Sequence, residues 1–144
     1  MSSVIVKPVM SVTDDVLEAC HRLIPQLSSS SSPITRAQLD EIITGSSTVL
    51  FAARSEGAIV GLLTLAVFRI PTAVRAWIED VVVDERARGK GVGEALSRAA
   101  LAEAAQRGAK TVDLTSRPSR EAANRLYQRI GFVRRDTNVY RYER

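Results

Sequence analysis

Apolar positions alternate along this chain between a spacing of two and a spacing near 3.6, and the switches between the two periods mark its elements. Val4 to Val9 is a β-branched run that predicts an opening strand. Thr13-Asp14-Asp15 then supplies a helix cap, and Val16, Leu17, Cys20, Leu23, Ile24 and Leu27 follow at helical spacing. The serine run Ser28 to Ser32 before Pro33 breaks that helix and predicts a mobile loop rather than a domain linker. Thr35 can cap a second helix that carries Ala37, Leu39, Ile42 and Ile43 up to Gly45. Two apolar strand-like runs, Thr48 to Arg54 and Ala58 to Ile70, are separated only by Ser55-Glu56-Gly57, which predicts an antiparallel hairpin.

After Pro71-Thr72 the segment Val74 to Val83 reads as another strand, and Gly91 to Arg107 as a long alanine-rich helix stopped by Gly108. Lys110 to Thr115 gives a short strand, and Pro118 suits an early helical position. Ala123, Leu126, Tyr127 and Ile130 mark a final helix closing at Gly131, and Phe132 to Tyr142 reads as a last strand. The predicted order is β-α-α-β-β-β-α-β-α-β, an α/β (α+β) fold with a mixed, mostly antiparallel, twisted sheet flanked by four helices. No internal repeat at a fixed period argues for a solenoid or propeller.

A length of 144 residues with 45% apolar content suits one packed core, so residues 1–144 are expected to form a single domain. No apolar stretch is long enough to span a membrane, and Met1-Ser-Ser-Val-Ile-Val lacks a basic region followed by a long apolar segment. The expectation is a cytoplasmic protein with no membrane partner. One cysteine, Cys20, and one histidine, His21, allow neither an internal disulfide nor a zinc site, and both read as parts of the first helix stripe. The net charge is +4, but the 20 basic residues are interleaved with 16 acidic ones, which argues against a nucleic-acid partner. Local clustering is more informative: Arg86, Arg88 and Lys90 crowd around glycines, as a site for a compact phosphate would require.

The segment Arg88-Gly89-Lys90-Gly91-Val92-Gly93 follows a predicted strand and opens a predicted helix. Gly91 and Gly93 would let backbone amides approach a ligand, and the helix N-terminus favours negative charge. A nucleotide P-loop is excluded, because four residues do not separate the first glycine from a Gly-Lys-Ser/Thr ending. The dinucleotide fingerprint also fails, since the third glycine comes two residues after the second.

What the loop does resemble is the Arg/Gln-x-x-Gly-x-Gly/Ala signature of the GNAT N-acetyltransferase family, here preceded by Trp77-Ile-Glu-Asp-Val-Val-Val-Asp84. Asn124-Arg-Leu-Tyr127-Gln-Arg-Ile-Gly131-Phe132 is similar to the family's second motif, so the resemblance covers roughly Trp77 to Phe132. It implies acetyl-CoA as co-substrate, lying in a splay between the strand ending at Val83 and the strand Thr111 to Thr115. Pantetheine would pair with the backbone of Val81, Val82 and Val83, and Arg88, Gly89, Lys90, Gly91, Val92 and Gly93 would hold the pyrophosphate. Asn124 would bond to the pantetheine arm. Tyr127 matches the family's general acid, and a phenol with a reference pKa of about 10 keeps its proton at neutral pH. Amine attack on a thioester also needs an oxyanion donor, expected near a bulge in the Trp77 to Val83 strand, and a base, expected of Glu79 with Asp80 beside it. Successive strand residues face opposite sides unless a bulge intervenes.

The implied activity is acetyl transfer to a primary amine of a small molecule. Ile-Glu-Asp-Val-Val-Val is also similar to the corresponding strand of glucosamine-6-phosphate N-acetyltransferases, whereas Leu114-Thr-Ser-Arg-Pro-Ser-Arg120 departs from them. A non-catalytic acyl-CoA-binding regulator would keep the loop and be indifferent to Tyr127→Phe. A homodimer is expected from the family's habit and from the edge that Phe132 to Tyr142 would present. No metal is expected.

Overall fold

A computed structural model describes residues 3–144, so that Met1 and Ser2 of the N-terminal stretch lie outside it. It divides into two compact units, Met1–Leu114 and Thr115–Arg144.

The first unit is built on a five-stranded sheet: β1 (Val4–Pro8), β2 (Thr48–Ser55), β3 (Ala58–Ile70), β4 (Ala73–Val83) and β5 (Thr111–Asp113), paired in that order. β1 to β4 are antiparallel to their neighbours, and β5 runs parallel to β4. The β2–β3 hairpin closes in two residues. Glu56 and Gly57 both take positive φ (52° and 83°), the mirror-image turn whose twist matches that of the flanking strands.

Helix α1 (Asp14–Leu27) and helix α2 (Arg36–Thr44) follow β1. Thr35 caps α2 reciprocally with Gln38, each accepting from the other's backbone N–H. The cap expected of Thr13 takes another form: its hydroxyl donates to the Asp15 carboxylate rather than receiving a helix amide. Leu23 and Leu39 from these helices pack with Leu50, Ala52, Ile59, Leu62 and Val82 from one face of the sheet. Ile59 and Leu62 share that face despite their odd spacing because the β2–β3 register slips by one residue beside Ala53 and Arg54.

Helix α3 (Val92–Gln106) is amphipathic through small residues. Leu96, Ser97, Ala100 and Ala104 are fully buried. It lies against the other face, where a side chain at Gly61 would point at Val92 and Leu96. Gly108, with φ of 80°, follows the Arg107 cap as expected.

The second unit holds helix α4 (Glu121–Arg129), whose C-cap is Ile130 and which is followed by Gly131 at φ 116°. Pro118 lies in a turn ahead of the Arg120 N-cap, not inside the helix. The expected last strand, Phe132 to Tyr142, does not form: residues 133–144 have no regular structure. Strand identity depends on a neighbour to complete the ladder, and here Val133, Val139, Tyr140 and Tyr142 stand exposed. The observed order is therefore β-α-α-β-β-β-α-β-α.

Candidate active site

Strand β4 has two irregularities, one on its edge and one on its face. Its ladder with β5 consists of Arg75–Thr111, Ala76–Val112 and Trp77–Asp113 and stops there. Ile78 to Val83 thus continue past the end of β5 with β3 on one side and, among the described residues, no strand on the other, which leaves that edge open. Val81, Val82 and Val83 lie on this stretch of β4, beyond the last pair with β5, where the sequence predicts a splay of the two strands. Arg75 pins the closed end through an ion pair with Asp113 at 3.0 Å.

The second irregularity is a bulge. Between the pairs Leu62–Val82 and Thr64–Glu79, one residue of β3 faces two of β4, Asp80 and Val81. Asp80 takes φ of 49°, a left-handed conformation that a non-glycine residue adopts only at a cost of about 1–2 kcal/mol. The bulge leaves its extra residue outside the ladder and turns the backbone. Glu79, opposite Thr64, points to the same face as Thr64, and the extra residue brings Asp80 to that face too. Both carboxylates are exposed, and among the described residues neither makes an ion pair. Arg75, a conceivable partner, is engaged by Asp113.

That face opens onto a cavity of about 280 Å³. Asp80 lines it and Glu79 does not. Its other walls come from α1, the loop after it, α2 and the adjoining strands, including Cys20, His21, Leu39, Leu50, Leu62 and Thr64. Cys20 and His21, read from sequence as structural, therefore also form a cavity wall. His21 Nε2 donates to the Ile34 carbonyl at 2.7 Å and ties the serine loop to α1. Burial pushes the Cys20 thiol up from its ordinary value, so it is a thiol and not a nucleophilic thiolate at neutral pH.

Beyond β4, Asp84 caps a short 3₁₀ turn, Glu85–Ala87, by accepting from the Arg86 N–H. Arg22 of α1 reaches the Asp84 carboxylate and the Ile59 carbonyl, each at 3.0 Å, and Gln26 accepts from the Glu85 N–H at 3.0 Å. This brace, not legible in sequence, anchors the start of the glycine loop to α1. Gly89 and Gly91 take φ of 78° and 81°, with open space where a Cβ would stand. Gly91 is the α3 N-cap, and no side chain caps the helix, so its first amides face outward. Gly93, expected to need glycine's freedom, lies inside α3 without a positive φ; Gly89 is the second residue that does need it. Val92 is buried, whereas Arg88 and Lys90 are exposed and unpaired among the described residues. Two free cations, two left-handed glycines and an uncapped helix start suit a pyrophosphate.

In the second unit, Tyr127 is 7% exposed and meets Phe132 edge to face at a centroid distance of 5.7 Å. Burial raises its phenol above the ordinary value, only partly opposed by Arg120. Its hydroxyl makes no hydrogen bond among the described residues. Asn124 Nδ2 donates to the Arg117 carbonyl at 3.0 Å and so braces the loop before α4, leaving Oδ1 as its free acceptor. Arg117 and Arg120 are exposed.

Among the described residues no group of three His, Cys, Asp or Glu side chains converges as a metal site, and no helix is long and apolar enough to cross a membrane.

No curated protein sequence matches the chain. Solved structures share its fold. Glucosamine-6-phosphate N-acetyltransferase from Arabidopsis thaliana superposes with a TM-score of 0.81 at 21% identity, over 97% of this chain and 98% of that one. An aminoglycoside acetyltransferase, meta-AAC0020, from an uncultured soil metagenomic sample, in complex with sisomicin, gives 0.84 at 19% identity over 98% and 95%. Aminoglycoside N-acetyltransferase AAC(6')-Iy, in complex with CoA, gives 0.83 at 17% identity over 100% and 97%. The sequence profile of the acetyltransferase (GNAT) family matches residues 15–132, across the β4 edge, the bulge, the glycine loop and α4. By that match over most of its length, this chain belongs to the acetyltransferase (GNAT) family.

Proposed function

We propose that the chain is an acetyl-CoA-dependent N-acetyltransferase that acylates the primary amine of a small molecule by direct attack through a tetrahedral intermediate. The observation that carries this reading is the coincidence on β4 of an open edge, Ile78 to Val83, with a bulge that opens onto a cavity. A thioester paired along the edge at Val81, Val82 and Val83 would present its carbonyl to the bulge. An amide of Asp80 or Val81, freed from the ladder, would stabilise the oxyanion there.

The acceptor amine enters from the cavity and must lose a proton before it attacks. Glu79 and Asp80 share the required face, and the cavity favours Asp80 as the nearer base, with Glu79 beside it. Collapse of the intermediate breaks the carbon–sulfur bond, and Tyr127 supplies a proton to the leaving thiolate. Its raised pKa supports this role, since the phenol stays protonated through neutral pH. The Arg88 to Gly93 loop holds the pyrophosphate, and the free Asn124 Oδ1 accepts from a pantetheine amide. The family profile crosses the boundary after Leu114, which supports the two units acting as one domain, 1–144. The buried free cysteine suits a reducing, cytoplasmic setting. Exposed Val139, Tyr140 and Tyr142 favour the expected homodimer, which sedimentation at micromolar concentration tests.

The deciding experiment is acetyl-CoA-dependent thiol release with Tyr127→Phe. Loss of a general acid slows turnover on the order of 100-fold, with acetyl-CoA affinity within about twofold of wild type. An unchanged kcat would refute the assignment of Tyr127, whereas acetyl-CoA binding with no turnover of any amine by the wild type would favour an acyl-CoA-binding regulator.

A further inference from the structure

The cavity lining restricts which amine can be the acceptor. Among the described residues Asp80 is the one carboxylate lining it, His21 is the one other titratable base there, and no lysine or arginine lines it. Ile24, Leu39, Ile42, Leu50 and Leu62 form an apolar side of the wall, with His21, Ser31, Ser32, Gln38 and Thr64 as its polar groups besides Asp80. A phosphorylated acceptor would bury a dianion without a cation to meet it. An acceptor with several ammonium groups could pair one of them with Asp80 and would press the others against leucine and isoleucine side chains. At about 280 Å³ the cavity lies at the small end of ligand sites, which run roughly from 300 to 1,000 Å³, and would not enclose an oligosaccharide.

Two further features fit a single ammonium at one end. Pro25, inside α1, has no N–H to give the His21 carbonyl four residues earlier, so that carbonyl lacks its usual helical donor, and both residues line the cavity. The Asp80 carboxylate is unpaired and held by a strained backbone on a bulge, a conformation that persists where the surroundings enforce it. We infer that the acceptor is a small monoamine: one ammonium, held by Asp80, attached to a compact uncharged aromatic or branched aliphatic body lying against the leucine and isoleucine wall. This substrate class rests on the transferase reading above.

The test uses the full chain with 2-phenylethylamine, spermidine, glucosamine 6-phosphate and sisomicin. Binding in the presence of CoA is measured by calorimetry, and thiol release is measured with acetyl-CoA. The expected result is a kcat/KM for 2-phenylethylamine at least 100-fold above the other three. Asp80→Asn should weaken its binding at least tenfold, and so should Ile34→Lys, which places a cation in the wall at a half-buried position. Thermal melting confirms that each variant is folded. Turnover of glucosamine 6-phosphate, spermidine or sisomicin in preference to 2-phenylethylamine would overturn the substrate class and leave the transferase reading standing. Equal binding of 2-phenylethylamine by wild type and both variants would overturn the cavity assignment. Binding of 2-phenylethylamine without turnover of any amine would support the cavity's ligand class and overturn the transferase reading. Neither binding nor turnover would overturn both.

Discussion

Replacing Gly61 with alanine tests how closely α3 must approach the sheet for the glycine loop to be held. A Cβ at this position would stand 2.9 Å from Val92 Cγ1, 2.9 Å from Leu96 Cδ1 and 3.3 Å from the Val82 carbonyl oxygen. Carbon atoms are at ease near 3.5–4.0 Å, so either α3 withdraws by roughly 0.5–1 Å or two buried side chains leave their rotamers. Val92 and Leu96 are 2% and 0% exposed, so neither can swing into solvent. Overpacking of this kind costs about 1–3 kcal/mol. The stiffer unfolded chain returns about 0.4–1 kcal/mol, which leaves a net loss of about 1–2 kcal/mol. For a chain of 144 residues that is a fall in Tm of roughly 3–7 °C.

Val92 is the first residue of α3 and follows the left-handed Gly91, so the displacement reaches the outward-facing amides. Acetyl-CoA binding should weaken about five- to tenfold, corresponding to about 1 kcal/mol. The assay is a double-mutant cycle of Gly61→Ala with Val92→Ala, read by urea denaturation and by acetyl-CoA titration. The second substitution removes the struck methyl group, so a coupling of about 1 kcal/mol is expected in stability. Wild-type Tm, wild-type affinity and no coupling would refute the claim that this contact sets the position of α3.

Gly91→Ala and Gly108→Ala form a matched pair, since both glycines have φ near 80° and open space around a new Cβ. Each should lose about 1 kcal/mol of stability by chemical denaturation, but only Gly91→Ala should weaken acetyl-CoA binding; equal affinities would remove the glycine loop from the site. Cys20 should resist Ellman's reagent at pH 7.5 until the protein is unfolded by urea, and prompt labelling of the native state would contradict its burial. Its raised folded pKa also sets a sign. Stability is fully present below the ordinary thiol value of 9.0 and falls at higher pH, because the unfolded chain ionises first. The slope cannot exceed about 1.4 kcal/mol per pH unit and should be smaller in Cys20→Ala than in wild type just above pH 9, before Tyr127 adds most of its own fall of the same sign.

Much of the fold could be read locally, where a few adjacent residues contain the whole cause. Thr35 with Gln38 specifies a cap, Glu56-Gly57 a mirror-image turn, and Gly108 a helix stop, each through backbone geometry complete within four or five residues. The strand, glycine loop and helix from Trp77 to Gln106 were legible for the same reason, and so was the family resemblance built on them. The last strand was not, because alternation in Phe132 to Tyr142 describes a surface able to pair, and pairing depends on a neighbour elsewhere.

Gly61 had a signal available, a glycine within a long apolar strand, although its meaning depends on which helix lies above it. The site divides along the same line. From sequence came its chemical inventory: a loop for phosphate, adjacent carboxylates at 79 and 80, and a phenol at 127. Tertiary structure alone decided that β5 ends at Asp113 and leaves the β4 edge open, that a bulge brings both carboxylates to one face, and that Asp80 rather than Glu79 lines a cavity walled by α1, α2 and the loop between them. Ladder length, strand register and side-chain direction are relations between segments far apart in the chain, and a local pattern of residue types does not contain them.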